Sequence, residues 1–237
     1  MVQATQNQRG FTYQLTYCGQ AFVEEAATAP YPVVDIGAAF GVATIPALTR
    51  GATVVAVDIS PNHLATLQKN TPASCQDRLT VQSGRFPDIS LPTTPVSAVY
   101  LSQVLPFLSP DEVRQGAQRI YEWLAPGGKV FIVSFTPFLA HVARYLPVYA
   151  QKKQRGESFA GYITDLSAYC SYSAIADQLP SVINHVDEDD LRDVFEEAGF
   201  HILHLKTFGD ERHDLPEGIK YDGRERVGLI AQKPINV

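Results

Sequence analysis

Two glycines and two aspartates carry the chemically informative pattern of this chain. Val33-Val34-Asp35-Ile36-Gly37-Ala38-Ala39-Phe40-Gly41 runs from an apolar, strand-like stretch through small residues toward a helical one. Gly37 and Gly41 allow a sharp backbone bend and let a ligand come close to the main chain. A helix placed after them aims free N–H groups and the positive end of its dipole at the same spot, which suits an anion such as an amino-acid carboxylate. Asp35 falls at the strand's carboxyl end, beside the crevice in which open α/β sheets bind ligands. The second element is Asp58, which closes the next apolar run, Thr53-Val54-Val55-Ala56-Val57. An acidic side chain there accepts hydrogen bonds from both hydroxyls of a ribose. Either element alone is weak, because Gly-x-x-x-Gly is common and an Asp after a strand is often a cap. Together they describe a nucleoside site at the switch point of a doubly wound sheet.

The elements that must position these residues follow from apolar periodicity. Leu79-Thr80-Val81, Ala98-Val99-Tyr100-Leu101 and Lys129 to Phe135 are further strand-like runs. They are apolar almost throughout rather than alternating, as strands covered on both faces require. Helices are predicted between them. Ser60-Pro61 supplies an N-cap and a Pro at N1. Ser109-Pro110-Asp111-Glu112 is a stronger start, a capping box, and Pro126-Gly127-Gly128 is the expected stop. A last helix opens at Asp187 to Asp190 and ends at Gly199. His201 to Lys206 and Arg226 to Ala231 have no helix between them and are expected to pair antiparallel. The predicted fold is a single α/β domain over residues 1–237. Its seven-stranded sheet is Rossmann-like, doubly wound and mostly parallel, with an antiparallel C-terminal strand. Residues 136–186, rich in tyrosine, break the βα rhythm and are predicted to be a helical lid over the substrate.

Composition narrows the function classes. Hydrophobic residues at 45% and charged residues at 19% describe an ordinary globular chain. A net charge of −6 and a pI near 5.5 argue against a phosphate-backbone partner, so no nucleic acid is expected. Cys18, Cys75 and Cys170 are odd in number, widely spaced and without a CxxC pair. Neither a disulfide framework nor a metal site is expected, and a reducing, cytoplasmic setting is. Ile89 to Pro110 carries no charge, but Pro92, Pro95 and Pro106 interrupt it. It reads as a loop and a short buried strand, so no membrane partner is expected.

On these motifs the chain resembles the class I S-adenosylmethionine-dependent methyltransferases, from about Phe11 to its end. VVDIGAAFGVATIPAL looks like the family's first motif and VVAVDIS like its second, with Asp58 in the ribose position and Ile59 beside it. RLTVQSGRFPDI is similar to the segment after the third strand, where Gly84, Arg85 and Phe86 would flank the adenine. VSAVYLSQVLPFL resembles the fourth-strand motif and brings Ser102 and Gln103 to the site; LAPGGKVFIVSF resembles the fifth. The resemblance implies S-adenosyl-L-methionine as cofactor and S-adenosyl-L-homocysteine as product. It further implies binding residues Asp35, Gly37, Ala38, Ala39 and Gly41. Departures are local. Ala38-Ala39 stand where Cys-Gly or Ser-Gly is frequent, and Arg85 stands where many members carry an Asp that touches the adenine amino group. Pro106 and Ser97 replace a His and an Asp, so no catalytic base is inherited.

Methyl transfer from a sulfonium needs alignment more than acid–base help, and a base matters only when the acceptor must lose a proton. The catalytic residue is therefore left unassigned, as is the small-molecule acceptor. Topology nominates Tyr13, Tyr17, Phe107, Thr136, His141 and Tyr145 for the acceptor pocket, with His141 and His185 as conceivable bases. Two alternatives stand beside this reading. A nicotinamide-dependent oxidoreductase would need a Gly-x-Gly-x-x-Gly turn, but Ala39 stands at its second glycine. A cofactor-binding, non-catalytic protein would keep the turn and Asp58.

Overall fold

The computed structural model describes residues 3–4, 11–12, 14–172, 179–209 and 218–235. A short antiparallel pair, β1 (Gln3–Ala4) with β2 (Phe11–Thr12), precedes helix α1 (Tyr17–Ala26). The alternating core begins with β3 (Val33–Ile36), α2 (Thr44–Thr49), β4 (Val54–Asp58) and α3 (Pro61–Asn70). It continues with β5 (Leu79–Ser83), β6 (Val96–Ser102), α4 (Pro110–Trp123) and β7 (Leu124–Phe135). After it come α5 (Leu146–Gln154) and the two-residue strands β8 (Tyr162–Ile163) and β9 (Ile183–Asn184). Helix α6 (Glu188–Glu197), β10 (His201–Phe208) and β11 (Arg226–Gln232) complete the order.

Seven strands form one sheet in the order β10-β11-β7-β6-β3-β4-β5. β7, β6, β3, β4 and β5 pair in parallel, and β11 runs antiparallel to both β7 and β10. Strand order reverses at β3, which has β4 on one side and β6 on the other. That is the switch point at which a crevice opens past the carboxyl ends of the strands.

The continuous apolar runs are explained by burial on two faces. Val33, Val54 and Ala98 pack with Phe22 and Val23 of α1 and Ala47 and Leu48 of α2. Their neighbours Val34, Val55 and Val99 belong to the opposite layer, with Val113, Ala117 and Ile120 of α4 and Leu191, Val194 and Phe195 of α6. Successive side chains of a strand point to opposite faces, so both layers demand apolar residues.

The helix starts fall where the caps predict. Ser109 Oγ accepts from the Glu112 N–H at 3.3 Å, and Glu112 Oε2 accepts from the Ser109 N–H at 2.7 Å. Asp187 and Asp190 exchange the same pair of bonds at the start of α6. The stop of α4 differs from expectation. The helix ends at Trp123, and Pro126-Gly127-Gly128 lies inside β7, where the register against β6 shifts. These residues serve the sheet: the Gly127 N–H donates to Lys233 O and the Lys233 N–H to Gly128 O, both at 2.9 Å.

Residues 136–186 contain short helical turns at Ala140–Tyr145 and Leu166–Ala168 as well as α5. Leu139, Val142, Tyr145, Ile163, Leu166 and Ile183 form a separate apolar cluster with Ile219. Among the described residues, no helix is long and apolar enough to cross a membrane, and no group of three or more His, Cys, Asp or Glu is placed to hold a metal ion. All three cysteines are free thiols.

Candidate active site

A cavity of about 240 Å³ opens at the switch point. The β3–α2 turn contributes Asp35, Gly37, Ala38 and Ala39 to its wall, and the end of β4 contributes Asp58 and Ile59. Gly84, Arg85 and Phe86 reach it from the β5 end, and Ser102 and Gln103 from the end of β6. Phe107, Phe135, His141, Ile183, His185 and Ile219 also line it.

The turn is left-handed at three places: Gly37 (φ +73°), Ala39 (φ +44°) and Gly41 (φ +88°). Four of its amides are already engaged. Val57 O accepts from the N–H groups of Gly37 and Ala38 at 2.8 and 3.0 Å, Ala38 O from Gly41 N–H at 2.8 Å, and Asp58 Oδ2 from Ala39 N–H at 2.9 Å. Helix α2 spans only six residues. The amides of Gly37, Ala38, Ala39 and Gly41 are therefore not the free donors expected for an anion. The turn instead offers a preformed surface of small residues for close approach. Gly41 shapes it without lining the cavity.

Asp35 is fully buried, and its Oδ2 accepts from Thr44 Oγ1 at 2.6 Å. Burial pushes its carboxyl up to about 6, with the Asp58 charge adding to the rise and the Thr44 hydrogen bonds opposing it. Asp58 is more heavily engaged than the sequence suggests. Its Oδ1 accepts from the Ser60 N–H at 2.8 Å and meets His63 Nδ1 at 3.1 Å. His63 also lines the cavity, and so does Gln14; sequence reasoning missed both. The signal for His63 was its place on the first turn of α3, five residues after Asp58.

Gln103 is the most unusual residue of the wall. It is left-handed (φ +59°), although not a glycine, and neither polar atom of its buried amide has a partner among the described residues. Backbone strain and an unsatisfied buried amide are both costly and concentrate where a ligand completes the structure. Arg85 is tied to Glu112 Oε1 at 2.6 Å and Asp88 Oδ2 at 3.3 Å, so its charge is neutralised beside α4. The Phe86 ring lies over Gly116, where an added Cβ would come within 2.6 Å of it, and 6.1 Å from the Trp123 ring.

Of the six residues nominated for the acceptor pocket, Phe107 and His141 line the cavity. Tyr13 lies outside the described residues. Tyr17 turns the other way: its hydroxyl donates to Gly228 O at 3.3 Å, and its ring meets His204 and Phe208, because Gly228 leaves room on β11. Thr136 donates its hydroxyl to Arg224 O and so pins the loop before β11. Tyr145 is buried in the apolar cluster of the insertion, its hydroxyl donating to Ala160 O at 3.0 Å and Tyr162 O at 3.2 Å. These three are corrections: each spends its polar atom on a backbone carbonyl away from the cavity.

Comparison with known proteins agrees with this geometry. Residues 33–128, from β3 into β7, match the profile of a family described as methyltransferase domain. A solved S-adenosylmethionine-dependent methyltransferase from Methanosarcina mazei is 15% identical, with a TM-score of 0.67 over 94% of this chain and 100% of that one. Another from Mesorhizobium loti is 19% identical, with a TM-score of 0.63 over 91% and 95%. The glycopeptide N-methyltransferase MtfA, solved in complex with S-adenosyl-L-methionine, is 18% identical, with a TM-score of 0.59 over 91% and 92%. No curated protein sequence matches. The fold is shared with these methyltransferase structures, and residues 33–128 are similar to the methyltransferase-domain profile.

Proposed function

We propose that this protein is an enzyme that binds S-adenosylmethionine in the cavity at the switch point and transfers its methyl group to a small organic acceptor. The observation that carries this reading is continuity. One cavity is lined both by the β3–α2 turn and Asp58 and by Phe107, Phe135 and His141. The residues present fit the cofactor. The unpartnered Gln103 amide awaits a polar ligand, and Gly37, with its positive φ and Val104 Cγ2 only 2.6 Å from where a Cβ would stand, keeps the turn free of side chain where it lines the cavity.

When bound, S-adenosylmethionine supplies an electrophilic methyl carbon on a good leaving group. Asp58, with Ile59, would hold the ribose; Gly84, Arg85 and Phe86 would flank the adenine; Gly37 to Ala39 would press against the amino-acid end. Gln103 would fix the reacting end by donating and accepting at once. Positioning of this kind supplies up to about 7–11 kcal/mol of the barrier reduction. The insertion 136–186 would close the acceptor side and exclude water. Three free thiols suit a cytoplasmic setting.

Calorimetry with S-adenosylmethionine, S-adenosylhomocysteine and NAD tests the reading, followed by a labelled-methyl screen over a metabolite mixture. Binding of the first two but not NAD, with label transferred, is expected. A folded protein that binds neither would overturn the cofactor assignment. Binding without transfer to any acceptor would favour the non-catalytic alternative.

A further inference from the structure

The acceptor end of the cavity contains two buried imidazoles. His141 and His185 are each 1% exposed, and their rings meet edge to face at 6.2 Å. His141 is clasped by one carbonyl: Gly218 O accepts from its backbone N–H at 2.7 Å and lies 3.0 Å from its Nδ1. A carbonyl only accepts, so Nδ1 carries the proton and the lone pair of the neutral ring sits on Nε2. That Nε2 has no partner among the described residues, nor has Nδ1 of His185. The surrounding wall, Phe107, Phe135, Ile183 and Ile219, is apolar. The other acidic and basic residues lining the cavity, Asp35, Asp58, His63 and Arg85, stand on the side of the β3–α2 turn and the β4 and β5 ends, and each already has a partner.

We infer that the acceptor is a neutral, largely apolar molecule bearing an acidic hydroxyl of the phenol or enol class, and that His141 Nε2 is the base that receives its proton. The inference rests on the proposed methyl transfer and names its substrate class. As the acceptor oxygen bonds to the methyl carbon, the carbon–sulfur bond breaks and its electron pair returns to sulfur. The hydroxyl proton passes to His141 Nε2, and the imidazolium then releases it to water. Charge is conserved: one positive charge leaves sulfur and one appears on the imidazole.

Burial favours a neutral ring. It lowers the His141 pKa below the usual histidine value, and it lowers His185 to about 3, with the charge of His141 adding to the fall. His185 therefore stays neutral and does not compete for the proton. Arg226 stands behind the Phe135 ring, 5.1 Å from its centroid, and is the cation on that wall. A weak base of this kind matches a phenolic or enolic proton better than that of an alkyl alcohol. An ammonium substrate would meet no carboxylate on this wall, and a carboxylate would find Arg226 behind the Phe135 ring rather than lining the cavity.

The test uses 4-methylphenol, its methyl ether, benzoate and benzylammonium, titrated into the protein saturated with S-adenosylhomocysteine. The phenol is expected to bind about fivefold more tightly than the ether, one hydrogen bond's worth, and both ions more weakly than the phenol. His141→Asn keeps a donor for Gly218 O and removes Nε2. It should erase the preference for phenol over ether while leaving S-adenosylhomocysteine affinity and the unfolding midpoint unchanged. Methylation of hydroxyl acceptors should rise with pH through the acid range in the wild type. In the variant it should fall by about 100-fold or more and lose that limb. A preference for phenol retained in His141→Asn, preferred binding of either ion, or no phenol binding at millimolar concentration would overturn the inference. Failure to bind S-adenosylhomocysteine would instead overturn the cofactor reading.

Discussion

Asp35 makes the fold itself pH-sensitive, and the effect has a calculable sign. In the unfolded chain its carboxyl titrates near the ordinary value of about 3.9. In the folded protein, burial holds it at about 6. Between those values the folded state keeps a proton that the unfolded state has released. Stability from this group is therefore fully present below about pH 4 and is lost as the pH rises through 6. A shift of about two units corresponds to roughly 3 kcal/mol. That is a large fraction of a typical stability of about 5–15 kcal/mol. Other groups titrate in the same range, so the measurement must be differential. Asp35→Asn keeps an oxygen to accept from Thr44 Oγ1 and cannot titrate. Urea unfolding of both proteins at pH 4, 5, 6 and 7 should show the wild type losing about 3 kcal/mol relative to the variant, chiefly between pH 4 and 6. A constant difference would refute the dominance of burial. A difference of opposite sign would mean that hydrogen bonds to the ionised carboxyl outweigh desolvation.

The other predictions concern the turn, the ribose position and the insertion. Gly37→Val should cost about 2–5 kcal/mol, from its positive φ and the approach to Val104, and should abolish S-adenosylhomocysteine binding by calorimetry. Gly51→Ala, equally left-handed but with open space around it, should cost only about 1–2 kcal/mol and leave binding intact. Asp58→Ala should weaken cofactor binding by roughly 10- to 150-fold, equivalent to about 1.5–3 kcal/mol, and should also lower the unfolding midpoint, since the Ala39 and Ser60 amides lose their acceptor. Unchanged affinity in a folded Asp58 variant would refute the ribose assignment. If the insertion closes over the acceptor, hydrogen exchange in residues 137–172 should slow on adding S-adenosylhomocysteine. Protection equal to that of β3 and β6, with no response, would make it a fixed part of the core.

The sheet was legible because its rule is local. A strand buried on both faces must be apolar at consecutive positions, and Val33-Val34 and Val54-Val55 state this directly. The caps Ser60, Ser109 and Asp187 were legible for the same reason: the group that satisfies a helix's first amides sits beside them in sequence. The stop of α4 was misplaced because Gly127 and Gly128 answer to Lys233, far away in the chain. Turn amides that looked free to a ligand were misjudged likewise, since Val57 O and the Asp58 carboxylate reach them only through parallel pairing of β3 with β4.

The acceptor wall follows a different logic, and that explains why so little of it could be read. The tyrosine nominated from the insertion, Tyr145, has an amphipathic side chain, and such a side chain is satisfied equally by a ligand or by a backbone carbonyl. Tyr145 took the carbonyls of Ala160 and Tyr162, which no periodicity announces. His141 shows the converse. Its Nδ1 is matched by Gly218, a partner supplied by the loop before β11, and only that match leaves Nε2 over. A satisfied polar atom is evidence of architecture, and an unsatisfied buried one on a cavity wall is evidence of a ligand. The distinction depends on which partners remain once the chain has closed on itself, which residue type and spacing do not specify. By that criterion Gln103 would mark the proposed cofactor end and His141 the proposed acceptor end of one cavity.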